Sequence, residues 1–149
     1  MEINEIISYL KHGSVERNIH LSPGAIDTLI CKVEQCYGIV FPEDIKLFYK
    51  FTNGFETDEH LFNIISLDSM IQEKEEYGAK SPYIAEYLIY SDMWGLDVNS
   101  VDGSYTIFND NQHDENVVLT NSLAEFLECF LKNGLLGLIK WGERMRNLE

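Results

Sequence analysis

Cysteine, proline and, over one long stretch, positive charge are scarce in this 149-residue chain. Its three cysteines, Cys31, Cys36 and Cys129, cannot all pair within one chain, and no CxxC or Cys/His spacing marks a zinc site. They are expected to be reduced, buried small hydrophobes, which points to the cytoplasm. No apolar run approaches the roughly 20 residues that a membrane span requires. The N-terminal MEINEIISYLKHG is acidic rather than basic and then apolar, so a cleaved secretion signal is not expected either. The phosphate-cradling GxxxxGKS/T and GxGxxG loops, the GxSxG nucleophile elbow and the HExxH zinc helix are all absent, which removes the usual sequence support for an enzyme.

Positive charge is the most informative shortage. The net charge is −14, yet residues 1–50 (seven acids, five bases) and 132–149 (two acids, four bases) cancel. Residues 51–131 carry the whole excess, sixteen acids against Lys74 and Lys80, and no Lys or Arg lies between Lys80 and Lys132. Such a field repels nucleic acid and anionic membranes and attracts basic proteins.

What is present reads as one folded domain over residues 1–149. The composition, 45% hydrophobic and 24% charged, is ordinary for a globular protein. A chain of this length hides about 70% of its unfolded surface on folding. Ile3, Ile6, Ile7 and Leu10 recur at helical spacing, with Gly13 a left-handed stop. Ser22 and Pro23 mark the start of a second helix over about 23–37, with Ile26, Leu29, Ile30 and Val33 as its stripe and Gly38 as its end. In FPEDIKLFYKFTNGF, Pro42 opens a third helix, Glu43 and Asp44 suit its positive end, Ile45, Phe48 and Phe51 or Thr52 face inward with Leu47 widening the face, and Asn53-Gly54 supplies the exit. HLFNIISL (60–67) reads as a strand, and Asp68 or Ser69 as the cap of a charged helix. After Ser81-Pro82 the period changes, and YLIYSD, WGLDV, SYTIFND and NVVLT are short β-rich runs between turn clusters. Asn121 or Ser122 caps LAEFLECFLKNG, Gly134 stops it, and the tail is a last helix weakened by Gly137 and Gly142. The fold class is α+β: a central antiparallel sheet of about four to six strands packed by N-terminal and C-terminal helices.

Candidate sites follow from the charge. The adjacent His113, Asp114 and Glu115, with His60 as a distant partner, make the best metal or hydrolytic candidate; a solvated turn explains the same letters, and no metal or other cofactor is expected. For protein binding, acids flank two aromatics, Trp94 and Tyr105, in the pattern of interface anchors beside charge. The expected partner-binding residues are Glu56, Asp58, Glu59, Asp92, Trp94, Asp97, Asp102, Tyr105, Asp110, Asp114 and Glu115. These carboxylates are expected to gather on one exposed patch.

The order of signals is itself distinctive. A Pro-led helix ending in Asn-Gly, strands reaching DGSYTIF and a Ser-capped NSLAEFLECFL helix resemble the SUKH superfamily, in the branch of the fungal cell-wall-assembly regulator and many bacterial toxin-immunity proteins. The corresponding residues are Pro42, Phe48, Asn53, Gly54, Asp102, Gly103, Ser122, Phe126 and Leu127, within a resemblance over about 22–131. DMWGLDVNSVDG (92–103) departs from it, because family members often carry a more Gly-rich turn there. The resemblance implies a non-catalytic α+β fold whose activity is protein binding. It further implies a cytoplasmic immunity protein that blocks a cognate toxin, often a nuclease and hence basic, with no direct contact to nucleic acid or membrane. The alternative it leaves open is a regulatory or scaffold module of the same fold.

Overall fold

The structure, a computed structural model, describes residues 1–58, 61–89 and 92–148. Among these, seven strands form one antiparallel meander in sequence order: β1 (Ile19–Leu21), β2 (Phe55–Thr57), β3 (Phe62–Ile64), β4 (Tyr83–Tyr87), β5 (Asp92–Val98), β6 (Tyr105–Asp110) and β7 (Val117–Thr120). Five helices accompany it: α1 (Ile3–Gly13), α2 (Asp27–Tyr37), α3 (Glu43–Phe51), α4 (Leu67–Tyr77) and α5 (Leu123–Asn147). The class is α+β as expected, with a sheet wider than four to six strands. No helix among the described residues is long and apolar enough to cross a membrane.

Strand alternation divides the sheet into two faces. The register stacks Phe55, Ile64, Ala85, Trp94, Asn109 and Val117 in one row, and α5 lays Phe126, Leu127 and Phe130 over it. Phe130 stacks on Phe62 at 4.3 Å between centroids, and Phe126 lies 6.1 Å from Trp94. Ile6 and Leu10 of α1 and Ile45 and Phe48 of α3 complete this core, all essentially inaccessible. Gly134, with φ of 69° and ψ of −170°, breaks α5 where the sequence predicted a stop, and the chain resumes as a second helical segment.

The third helix keeps its expected position, but its buried stripe is Ile45, Phe48, Tyr49 and Thr52. Leu47 is exposed rather than widening that face, because the i, i+3, i+4, i+7 set runs on the other side of Ile45. Tyr49 donates to the Ile65 carbonyl at 2.8 Å, and the Thr52 hydroxyl lies 2.7 Å from the carbonyls of Ser22 and Gly54. Asn53 reaches forward: its Oδ1 accepts from Leu67 N and its Nδ2 donates to Asp68. The stretch from Pro42 to Gly54 is therefore scaffold, tying β1, β2 and α4 together.

Helix α2 starts at Asp27, not at 23. Residues 22–25 are instead drawn alongside the end of α3, where Ala25 N donates to Tyr49 O and Asn53 N to Pro23 O. A Cβ on Gly24 would stand 1.9 Å from the Lys50 carbonyl oxygen, so this approach requires glycine. Ile26 consequently caps α2 and is exposed instead of joining its stripe. Cys31, one step past Ile30 around the helix, is exposed as well, which corrects the expectation of burial; Cys36 and Cys129 are half-buried. Two smaller differences concern caps: α1 closes through Ser14 with right-handed geometry rather than at Gly13, and Ser66, not Asp68 or Ser69, caps α4.

Candidate functional site

One row of register partners on the outer face of the sheet is His20, Glu56, Asn63, Glu86, Met93 and Asp110. Neighbouring strands lie about 4.8 Å apart, so carboxylates on alternate strands stand roughly 10 Å from one another with a neutral residue between. That spacing concentrates charge on one face while limiting repulsion. Helix α4 runs along the flank of this row, and its Glu73 and Glu76, at i and i+3, share a face. Between helix and sheet lies a groove of about 390 Å³ lined by Glu56, Glu73, Glu76 and Glu86, with no Lys, Arg or His among its described lining residues.

Local energetics leave this groove short of positive partners. Burial, and then Glu73, raises the Glu86 carboxyl above its ordinary value against an opposing hydrogen bond from Asn63. The buried Asn63 Oδ1 has no hydrogen-bond partner among the described residues. Lys74 is turned away, donating to the Ala79 carbonyl at 3.0 Å with its ammonium 5.4 Å from the centre of the Tyr37 ring. On α3, Lys46 and Lys50 are engaged with Glu34 and Asp27 of α2. Cations inserted by a partner would find several acceptors with incomplete donors.

The expected contact residues distribute over four places. Glu56 lies in the groove. Asp58, Asp110, Asp114 and Glu115 lie around one end of the sheet, where β2, β4 and β6 end. Asp58 binds His20, Asp110 accepts from Tyr83 at 3.2 Å, and Asp114 accepts from Asn111 at 3.0 Å. Asp97, on the outer face, and Asp102, bound to Ser104 Oγ at 2.6 Å, stand toward the opposite end. Glu59 and the ligand candidate His60 lie outside the described residues, as do Tyr90 and Ser91 of the expected YLIYSD strand. The carboxylates thus form a groove and two loop clusters rather than one patch. No group of three His, Cys, Asp or Glu among the described residues is placed to hold a metal ion, and the backbone N–H groups of His113 and Asp114 close a turn on Asn111 Oδ1.

Three expected contact residues are not surface groups. Trp94 is fully buried, edge-on to Phe62 at 5.7 Å, because it alternates onto the inner face with Leu96. Asp92 shares that face and is only 8% exposed. Tyr105 is 7% exposed, and its hydroxyl accepts from Leu123 N at 2.6 Å, at the start of α5, while donating to Asp44 Oδ2 in the first turn of α3. Burial, and then Asp44, pushes the phenol far above its ordinary value. Tyr105 is a tie between two helix starts. Tyr105→Phe leaves the Leu123 N–H and the Asp44 carboxylate short of a partner, and chemical denaturation should register a loss of about 1–3 kcal/mol.

Residues 24–129 match the model of the SMI1 / KNR4 family (SUKH-1), about seven-tenths of the chain. The chain belongs to the SUKH-1 family. No curated protein matches it. The SUKH-1 segment begins at the Gly24 approach, takes in the four glutamates of the groove and ends within the first half of α5. Lying beyond it is the second segment of α5, whose Arg146 reaches back to Asn109 of the sheet. Sequence reasoning missed Glu73, Glu76 and Glu86; the helical spacing of the first two was the signal that could have found them.

Proposed function

We propose that this SUKH-1 chain is a non-catalytic immunity protein that binds a basic toxin domain and covers its active cleft. The observation that carries the reading is the cation-free groove of Glu56, Glu73, Glu76 and Glu86 on the open face of the sheet. A nuclease must line its cleft with Lys and Arg to neutralise phosphates, and a row of carboxylates supported by a rigid sheet can occupy that cleft in place of nucleic acid. Family membership supports the same reading. The rim carboxylates set the rate and salt dependence of association, and residence time comes from a few desolvated contacts.

The test is co-expression with the toxin encoded beside this gene. Cells are expected to survive induction of the toxin only when this protein is present, and the two are expected to co-purify. Survival without it, or the absence of any neighbouring toxin gene, favours a regulatory module acting on an endogenous basic protein. A His113→Ala variant is expected to protect fully, which separates binding from a hydrolytic role.

A further inference from the structure

A second concavity, of about 410 Å³, opens where the start of β5 and the end of β6 meet the second segment of α5. Its floor is the pair Asp92 and Asn109, 8% and 3% exposed, and its wall is the alkyl surface of Leu135, Leu136 and Ile139, with Glu143 beside them. The wall comes from residues beyond the family match. Carboxylate oxygens offer about four acceptor sites. Among the described residues Asp92 receives a single side-chain hydrogen bond, from Asn109 Nδ2 at 3.3 Å, and that same nitrogen also lies 3.3 Å from the Met93 carbonyl. The nearest cation does not make up the shortage. Arg146 is held on neutral carbonyls, Asn109 Oδ1 at 2.8 Å, Asn109 O at 3.2 Å and Glu115 O at 3.4 Å, and forms no ion pair with a carboxylate among the described residues. Burial is the main force raising the Asp92 carboxyl above its ordinary value, with Asp110 adding to it and Asn109, Arg146 and His113 opposing it.

The pocket therefore combines an apolar wall, an under-donated buried carboxylate and a second acid with two basic groups, the engaged guanidinium of Arg146 and the His113 ring. An anion would face both Asp92 and Glu143, and a neutral apolar group would bury Asp92 deeper without supplying a donor. A long side chain with an alkyl stem and a cationic head fits both parts, the stem along Leu135 and Ile139 and the head on Asp92. We propose that this pocket receives one arginine or lysine side chain of the partner protein. The inference rests on the reading of the chain as a binder of a basic protein.

The test needs no partner. Titrating the full chain with n-butylguanidinium or n-butylammonium, followed by amide NMR, is expected to give saturable shifts at Asp92, Asn109, Ile139 and Glu143, with none from butyrate. Asp92→Asn is expected to weaken this binding at least tenfold. Leu136→Arg, at a 62% exposed position on the wall, places a competing cation at the mouth and is expected to do the same without disturbing the fold. Absent saturation, equal binding of butyrate, or unchanged affinity in both variants overturns the proposal. A toxin complex formed at full strength by Asp92→Asn would overturn the partner assignment alone and leave the groove reading standing. Failure of the wild-type protein to neutralise any toxin would remove the functional reading, while the titration would still decide the pocket.

Discussion

Trp94→Ala is expected to lower stability by about 3–5 kcal/mol, the range for removing a large aromatic from a packed core. Domains of this size are stable by only about 5–15 kcal/mol, so the variant should stand near the edge of unfolding. Trp94 is sealed between Phe62, edge-on at 5.7 Å, and Phe126, tilted at 6.1 Å, and it shares its row with Ala85 and Asn109. None of these can move in to fill the void: Phe62 is stacked on Phe130, and Phe126 belongs to the first turns of α5, fixed by the Ser122 cap and the Tyr105 tie. Denaturant melts should show a lower midpoint with an unchanged slope. A loss under about 1 kcal/mol would place Trp94 outside the core, contrary to the packing described above.

The second large effect is expected on association. Replacing Glu56, Glu73, Glu76 and Glu86 by glutamine removes four charges from the groove with little change of shape. Electrostatic steering contributes one to three powers of ten to association rates at low salt, so the variant should bind a basic partner about ten-fold to a thousand-fold more slowly. Folding should not suffer. The groove has no cation among its described lining residues to leave unpaired, and Glu86 and Glu73 already repel, so the variant should be as stable as the wild type or slightly more so. That separation of a large kinetic loss from an intact fold distinguishes a recognition surface from a structural one.

Much of this architecture was legible before any coordinates. The stripes Ile3-Ile6-Leu10 and Ile45-Phe48, the Ser122 cap, the Gly134 break and the runs that became β5, β6 and β7 all announce themselves through local periodicity and turn chemistry. Strands β1 and β2 did not. At three residues each, IHL and FET are too short to show a period, and they exist as strands because α3 and its exit bring them side by side. The start of α2 was hidden for a related reason: Ser22 and Pro23 favour a helix locally, but the backbone approach of Gly24 to Lys50 overrides them.

The candidate site was less legible than the fold. Acids on both sides of Trp94 suggested an exposed anchor, yet Asp92 and Trp94 are two apart and so share a face, and that face is the inner one. Their neighbourhood in sequence carried no information about exposure. The groove needed α4 to be set against β2, β3 and β4, and the Asp92 pocket needed Arg146 to reach a strand end 37 residues earlier. Neither arrangement follows from any local pattern.

The groove carboxylates are expected to recruit a basic protein. Association rates of wild-type protein and the four-glutamine variant with the neighbouring toxin domain, measured across a salt series, test it most directly. The wild-type rate should fall steeply with salt and converge on the slow, nearly salt-independent rate of the variant. Parallel curves for the two proteins, at any absolute rate, would contradict it.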